Sequence, residues 1–478
     1  MQEETKLTKK YGLITAIGMV IGIVIGSGVF FKAQDILKKT DGDMPLGILA
    51  WLIGGTVMMF CILAFSVMAQ KYQKVNGIVD YAEATVGSKY SYFVGWFVTT
   101  VYFPGMTSAL AWLTARYLLV FVCSVNPSLK IDPVAGPECM ALAGFFLILV
   151  YALNALSPKL AGKLQVSTTI IKLIPLVLMA IVGTIYGFVN TNDATGNAVL
   201  VDSFATAKGD MSTLFGAVVA TCFAYEGWII ATSINAEIKN AKKNLPIALV
   251  VGGIVIVAVY IFYYIGIAGG SESIEVLKND GATKAFVNIF GGTFGNILNL
   301  FVAISCLGTL NGLTVGSSRA LYSVSSRGYG PCHKIFGEVD KETNMPANSA
   351  VFGLVACSAW LVYFFGANLT SNWFGVFGFD STELPIITVY AFYIPIFIKF
   401  MIKEKELSVG KRFILPGLAL LGSVFMVAAA IYAHGVVPYL AAKAEGRFSF
   451  PVLFYLILFA VIMVVGAFFM KKKEVVED

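Results

Sequence analysis

Long apolar stretches, divided by short polar punctuation, repeat along almost the whole chain. A helix crossing the hydrocarbon core of a bilayer needs about 20 such residues. In that solvent every backbone N–H and C=O must be satisfied within the segment, which selects helices over open sheets. A membrane β-barrel would instead alternate apolar and polar positions over segments of about ten residues, and the runs do not. The pattern predicts an all-α integral membrane protein with 12 transmembrane helices, at roughly 12–36, 45–70, 91–123, 138–156, 166–189, 212–235, 246–269, 285–317, 347–366, 381–402, 412–434 and 449–470. The third and eighth exceed what a bilayer requires, which predicts tilt or extension beyond it.

Two of these helices carry their own interruption. The first contains Ile21-Gly22-Ile23-Val24-Ile25-Gly26-Ser27-Gly28-Val29-Phe30, and the sixth contains Phe223-Ala224-Tyr225-Glu226-Gly227-Trp228. A glycine inside a helix costs about 1 kcal/mol relative to alanine, and Gly26-Ser27-Gly28 concentrates that weakness. The spacing of Gly18, Gly22 and Gly26 also suits close helix packing, and the two roles are compatible. Position favours a break. Gly26 and Glu226 lie 200 residues apart, each in the opening helix of a block of five spans. Five is odd, so the second block is inverted relative to the first, and paired interrupted helices in such blocks mark a transporter's substrate site. The predicted organisation is a tail over 1–10, a first five-helix repeat over 11–190, an outer loop with a second repeat over 191–402, and two further helices with a tail over 403–478.

Composition agrees with the membrane reading: 58% of residues are apolar and 13% charged, against about a quarter charged in soluble domains. The net charge of +6 comes from basic residues in short loops, which is not a nucleic-acid footprint. With both termini on one side, 23 of the 34 basic residues fall on that side and nine on the other. The positive-inside rule then makes both termini cytoplasmic, in a multi-pass protein of the cell membrane. The polar start, Met1 to Lys10, gives no reason to expect a cleaved signal peptide. Seven cysteines show no metal-ligand spacing, and no cofactor or metal is expected.

An unwound segment at membrane depth is tolerated where it lines a cavity. The N–H groups that start a half-helix bind a carboxylate, and the C=O groups that end one bind an ammonium. A pair of breaks therefore suits a zwitterion. The carboxylate is assigned to the backbone around Ser27, Gly28 and Val29, with the Ser27 hydroxyl as an extra donor. The amino group is assigned to carbonyls around Ile23 and Val24 and from Phe223 through Ala224 to Tyr225. Glycine at 26 and 28 allows close approach of the ligand, and Gly227 belongs to the second break. Lys172, seven residues into the fifth span, costs roughly 3 kcal/mol at mid-membrane on insertion scales and reads as functional; snorkelling is the alternative. Glu226 would favour a cationic substrate, take up a proton, pair with Lys172 or Arg116, or face solvent at the kink. Tyr102 on the third span is a pocket-wall candidate. Arg116 reads as snorkelling, Asp380 and Glu383 as solvated in an outer loop or as an extracellular gate, and His333 and His434 carry no metal or catalytic pattern.

Four ordered motifs then show a resemblance. Gly26-Ser27-Gly28-Val29-Phe30 resembles the first-helix signature of the amino acid–polyamine–organocation superfamily, and Phe223-Ala224-Tyr225-Glu226-Gly227-Trp228 is similar to the sixth helix of its L-type exchanger branch. Glu237-Ile238-Lys239-Asn240 with Asn244-Leu245-Pro246, and Ser318-Arg319-Ala320-Leu321-Tyr322 with Arg327-Gly328 and Pro331, resemble its conserved-pattern loops. The resemblance implies a 5+5 inverted-repeat, leucine-transporter-like core with discontinuous helices 1 and 6, two added helices, and alternating access by rocking. It makes Phe223 an aromatic gate, with core packing as the plainer role. It makes Lys172 the stand-in for a bound sodium ion, tethering the fifth helix to carbonyls near Gly22 and Ile23, and a coupling residue if it loses its proton. The implied function is sodium-independent exchange of neutral L-amino acids. Proton-linked uptake and antiport of cationic amino acids or amines are the alternatives; a channel or a membrane enzyme fits less well. Glu226 departs from relatives that take neutral substrates. L-type light chains join a glycoprotein through a cysteine between spans three and four. Ser124 to Pro137 holds none, so no disulfide-linked heavy chain is expected, and the partners are an amino acid and the lipid bilayer.

Overall fold

The computed structural model describes residues 12–72, 77–192, 195–205, 209–231, 238–270, 274–343, 345–370 and 373–470. The tail over 1–10, Glu237 and the segment 471–478 lie outside the described residues, as does the side chain of Ile23. The regular structure of the described residues is helical, with an isolated bridge between Thr191 and Ala198. Its main helices are α1 (Leu13–Val24), α2 (Gly28–Lys39), α3 (Met44–Lys71), α4 (Ser88–Val125), α5 (Pro137–Leu156) and α6 (Pro158–Val189). Then come α7 (Met211–Ala224), α8 (Trp228–Ala231), α9 (Ala241–Gly269), α10 (Ile274–Phe290) and α11 (Gly292–Ser325). The last four are α12 (Ala347–Leu369), α13 (Leu384–Lys403), α14 (Gly410–Ala444) and α15 (Pro451–Phe468).

Ten of these helices, α3, α4, α5, α6, α9 and α11 to α15, are long and apolar enough to cross a membrane, and shorter apolar helices fall at Leu13–Gly22 and Met211–Ala224. The two short ones belong to the helices predicted to be interrupted. The first predicted span is two half-helices, α1 and α2, meeting at Ile25-Gly26-Ser27. The eighth does not begin at 285 as predicted. Gly291 takes a φ of 79°, a left-handed turn that separates α10 from α11, so the long apolar helix starts at Gly292.

The centre of the molecule is where α1, α2 and α7 meet α3, α9 and α11. α11 packs along α4, α9 along α3 and α1, and α7 against both α2 and α3. Small residues set that closeness. A Cβ on Gly54 of α3 would collide with Thr221, and one on Gly47 with Tyr264 of α9. Trp51, Tyr225, Tyr260 and Tyr264 fill the space beside them as edge-on and stacked rings. At one end of the bundle Glu404, just past α13, accepts from Lys71 and Tyr72 of the α3 end. Burial raises its pKa, and those bonds, with the charges of Lys71 and Lys403, outweigh burial and leave it below the usual carboxylate range.

Candidate functional site

Both breaks open onto one cavity of about 380 Å³. Of the predicted residues, Val24, Gly26, Ser27, Gly28, Lys172, Phe223, Ala224, Glu226 and Gly227 form its wall. Gly28 is the point of closest approach: a Cβ there would lie 2.7 Å from Ala224 Cα and 3.0 Å from the Phe223 carbonyl oxygen. The second break turns at Gly227, whose φ of 103° an L-residue adopts only with strain. α2 starts at Gly28, and the first N–H groups of a helix have no carbonyl one turn earlier to pair with. Beside them the Ser27 hydroxyl is buried with no nitrogen or oxygen partner among the described residues, only the Cys306 thiol approaching it. Such a group is costly unless a ligand or water satisfies it.

The carbonyl side is partly occupied already. Lys172 donates to the Gly22 carbonyl oxygen, and Tyr260 of α9 donates to those of Val24 and Ala224, at 3.3 and 3.0 Å. Lys172 sits where α6 loosens, because Pro175 has no N–H to offer the carbonyl of Ile171. It is buried, so a snorkelling head group is not its role in this structure.

Glu226 is also buried, 9% exposed, and does not face bulk solvent. Tyr102 donates to it at 2.5 Å from a π-helical turn of α4, Val98–Tyr102, a feature often found at functional sites. Tyr102 is thus a support behind the wall rather than part of it. Glu226 has no ion pair with Lys172 or Arg116; Arg116 lies over the rings of Trp112 and Tyr117 instead. Two residues assigned through their backbones turn their side chains elsewhere. The Tyr225 side chain turns from the cavity to donate to the Trp51 carbonyl at 2.9 Å, leaving only its backbone at the break. Val29 is packed in the core.

Several wall residues carried no strong sequence signal. Asn154 of α5 donates to Asn311 of α11 at 2.9 Å, and Asn311 to Gln165 of α6 at 3.0 Å. This amide chain lines the cavity together with Pro158, Arg319 and Met345, so the cavity runs from the breaks toward the α5–α6 turn.

The opposite end is shut twice. Phe223 lies edge-on to Phe31, and Phe31 to Trp112. Beyond that aromatic layer Glu383 accepts from Lys32 at 2.5 Å, from Lys39 at 3.1 Å, and pairs with His434 of α14 at 2.9 Å. The expectation that Glu383 is solvated is therefore wrong: it is fully buried. Asp380 accepts from the backbone N–H of Thr382 and Glu383, and this turn delivers the Glu383 side chain to the lysines of α2. Lys32 could have been found by the reasoning applied to Lys172, since it is a charge inside the first predicted span.

Apolar helices long enough to span a bilayer, with two interrupted ones facing a shared cavity, define a helical membrane transport protein. The chain belongs to the amino acid permease family, whose profile matches residues 11–476. It is 27% identical to the serine/threonine exchanger SteT of Bacillus subtilis (strain 168) over 436 residues, 89% of this chain and 92% of that one. It is 25% identical to the human b(0,+)-type amino acid transporter 1 over 441 residues, 91% and 85% of the two chains. The human cystine/glutamate transporter is 24% identical over 348 residues, 72% and 67% of the two. The protein is therefore an amino acid transporter rather than an enzyme.

Proposed function

We propose that this protein exchanges neutral L-amino acids across the plasma membrane without sodium, by alternating access of a twelve-span, 5+5 inverted-repeat core with cytoplasmic termini. The observation that carries the sodium-independent reading is Lys172. Its ammonium is bonded to a carbonyl of the broken first helix, where a cation bound between α6 and α1 would otherwise stand. The substrate carboxylate goes to the N-terminus of α2 and Ser27. With the Gly22, Val24 and Ala224 carbonyls engaged, the ammonium goes to those of Ile23 and Phe223. Under the positive-inside orientation the cavity opens to the cytoplasm, and Phe223 with the Glu383 cluster closes the outer path. Cys139, buried in the first turn of α5, supports a free-standing transporter rather than one with a disulfide-linked subunit.

Purified protein in liposomes tests this by counterflow. Internal unlabelled neutral amino acid should stimulate uptake of the labelled one equally in sodium and choline media. No stimulation, or uptake that requires sodium, defeats the reading. Glu226 favours a second reading: a carboxylate in the cavity wall suits substrates with a second cationic group, and competition by arginine against leucine separates the two.

A further inference from the structure

α15 is pinned to the bundle near its two ends. At its start Val452 presses on Gly435 of α14, where a Cβ would come within 2.8 Å of it. Toward its finish the carbonyls of Gly466 and Ile462 accept from Tyr92 and Trp96 of α4, at 2.7 and 2.9 Å. Between these pins lies a second cavity, of about 300 Å³, walled by α13, α14, α15 and Tyr90 of α4. It shares no wall residue with the cavity at the breaks. The hydroxyls in its wall are already engaged. Thr388 donates to the Leu384 carbonyl at 2.9 Å and accepts from Tyr455 at 2.5 Å, and Tyr90 donates to the Phe392 carbonyl at 2.9 Å. The rest of the wall is aliphatic and phenyl surface. Buried water needs two to four polar partners, and a cavity without them stays dry and takes apolar molecules.

Two wall residues, Ile431 and Leu456, are 44% and 48% exposed. Ile431 continues the exposed face of Val424 on α14, and Leu456 that of Leu453 on α15, faces that meet lipid in a membrane protein. The inner wall is closed, with Leu384, Ile387 and Tyr455 buried. The cavity therefore opens sideways into hydrocarbon between α14 and α15 and ends blindly on α13. Along α13 it runs from Leu384 to Phe392, about 12 Å at the helical rise, against about 15 Å for one leaflet of the bilayer core. A helix from a second copy, about 10–12 Å across, does not enter such a slot. We propose that it binds one acyl chain of a membrane phospholipid, drawn in from the leaflet nearer Glu383. An empty slot forfeits the dispersion contacts of its whole lining, and the chain restores them. It does so directly beneath an ion pair: Glu383 precedes Leu384, and His434 lies one turn beyond Ile431, the two meeting at 2.9 Å. The lipid thus completes the packing under the helix ends that carry that pair.

The test uses the full chain in phosphatidylcholine vesicles doped with a phosphatidylcholine that carries a diazirine midway along one acyl chain. After irradiation, the attachment sites are mapped by mass spectrometry. Val461 and Val464, on the exposed face of α15, are labelled whatever the slot holds, whereas Leu384 and Ile387 are reached only by a chain inside it. Labelling of both pairs is expected in the wild type. Ala391→Phe and Val427→Phe fill the slot from different helices, and each should cut labelling of Leu384 and Ile387 at least about tenfold, with Val461 and Val464 unchanged. The assignment fails if the wild type is labelled at Val461 and Val464 alone, or if both filled variants are labelled at Leu384 and Ile387 as strongly as the wild type. It fails too if a diazirine sterol labels those two residues and the acyl probe does not, which would give the slot to a ring lipid. If a filled variant does not fold, the wild-type map still decides.

Discussion

Lys172 and Glu226 are the two charges buried beside the cavity's breaks, and each is held by a neutral partner rather than by the other. Among the described residues Lys172 rests on a single carbonyl, that of Gly22. A hydrogen bond from a charged group contributes about 1.5–3 kcal/mol, and here it fixes the position of a helix end. Lys172→Ala is expected to lower initial uptake by at least about tenfold at fixed substrate, with Lys172→Arg recovering part of it. Unaltered uptake in the alanine variant excludes the tether. Glu226 has Tyr102 on one side and the cavity on the other. Glu226→Gln keeps an acceptor for Tyr102 but removes the charge. Inhibition by arginine should then weaken about tenfold while inhibition by leucine stays the same. If both profiles stay fixed, the carboxylate has no part in selecting substrate.

At the scale of elements, the site depends on two broken helices touching at Gly28. A methyl there would meet Ala224 Cα and the Phe223 carbonyl. Both are backbone, so no side chain can swing aside and the half-helices must part. Gly28→Ala should therefore abolish most uptake, while circular dichroism and gel filtration match the wild type. Substantial transport by this variant contradicts the close approach. The break in α1 was legible in the sequence because glycine in an apolar helix is a local signal, and so was Lys172, a charge where charges are costly. The end of α10 was not, because one positive-φ glycine leaves hydropathy unchanged. Nor was the fate of Glu383. It sits in a polar turn that reads as solvated, and what buries it is Lys32, 351 positions earlier, with His434 from a helix beyond the two predicted repeats. Tyr225 caps the end of α7, and its side-chain direction follows from Trp51 on α3, which no local pattern reveals.

For the whole molecule, the proposed alternating access and orientation make the Glu383 cluster the lock on the outer face. Its carboxylate offsets two lysines that α2 carries into the protein, and neutralising Glu383 leaves both to share Asp35 alone, 3.2 Å from Lys32 and 3.4 Å from Lys39. Removing one partner of a buried ion pair costs about 3–5 kcal/mol. That cost falls on the closed outer face alone, since in an opened one the lysines are hydrated. Even the lower figure displaces a two-state equilibrium by about two orders of magnitude. Cys222 reports the change without an added probe: it is buried on α7, near Glu383, Lys32 and Glu226. In a background with serine at the two cysteines that are not buried, Cys123 and Cys332, a membrane-impermeant thiol reagent added outside should label Glu383→Gln at least about tenfold faster than the background protein. Saturating amino acid on the opposite side should slow that labelling by drawing the protein back toward the form that binds there. Equal rates with and without the substitution would assign closure to the Phe31, Phe223 and Trp112 layer alone. The ion cluster would then be a structural pair, costly to break but indifferent to which face is open.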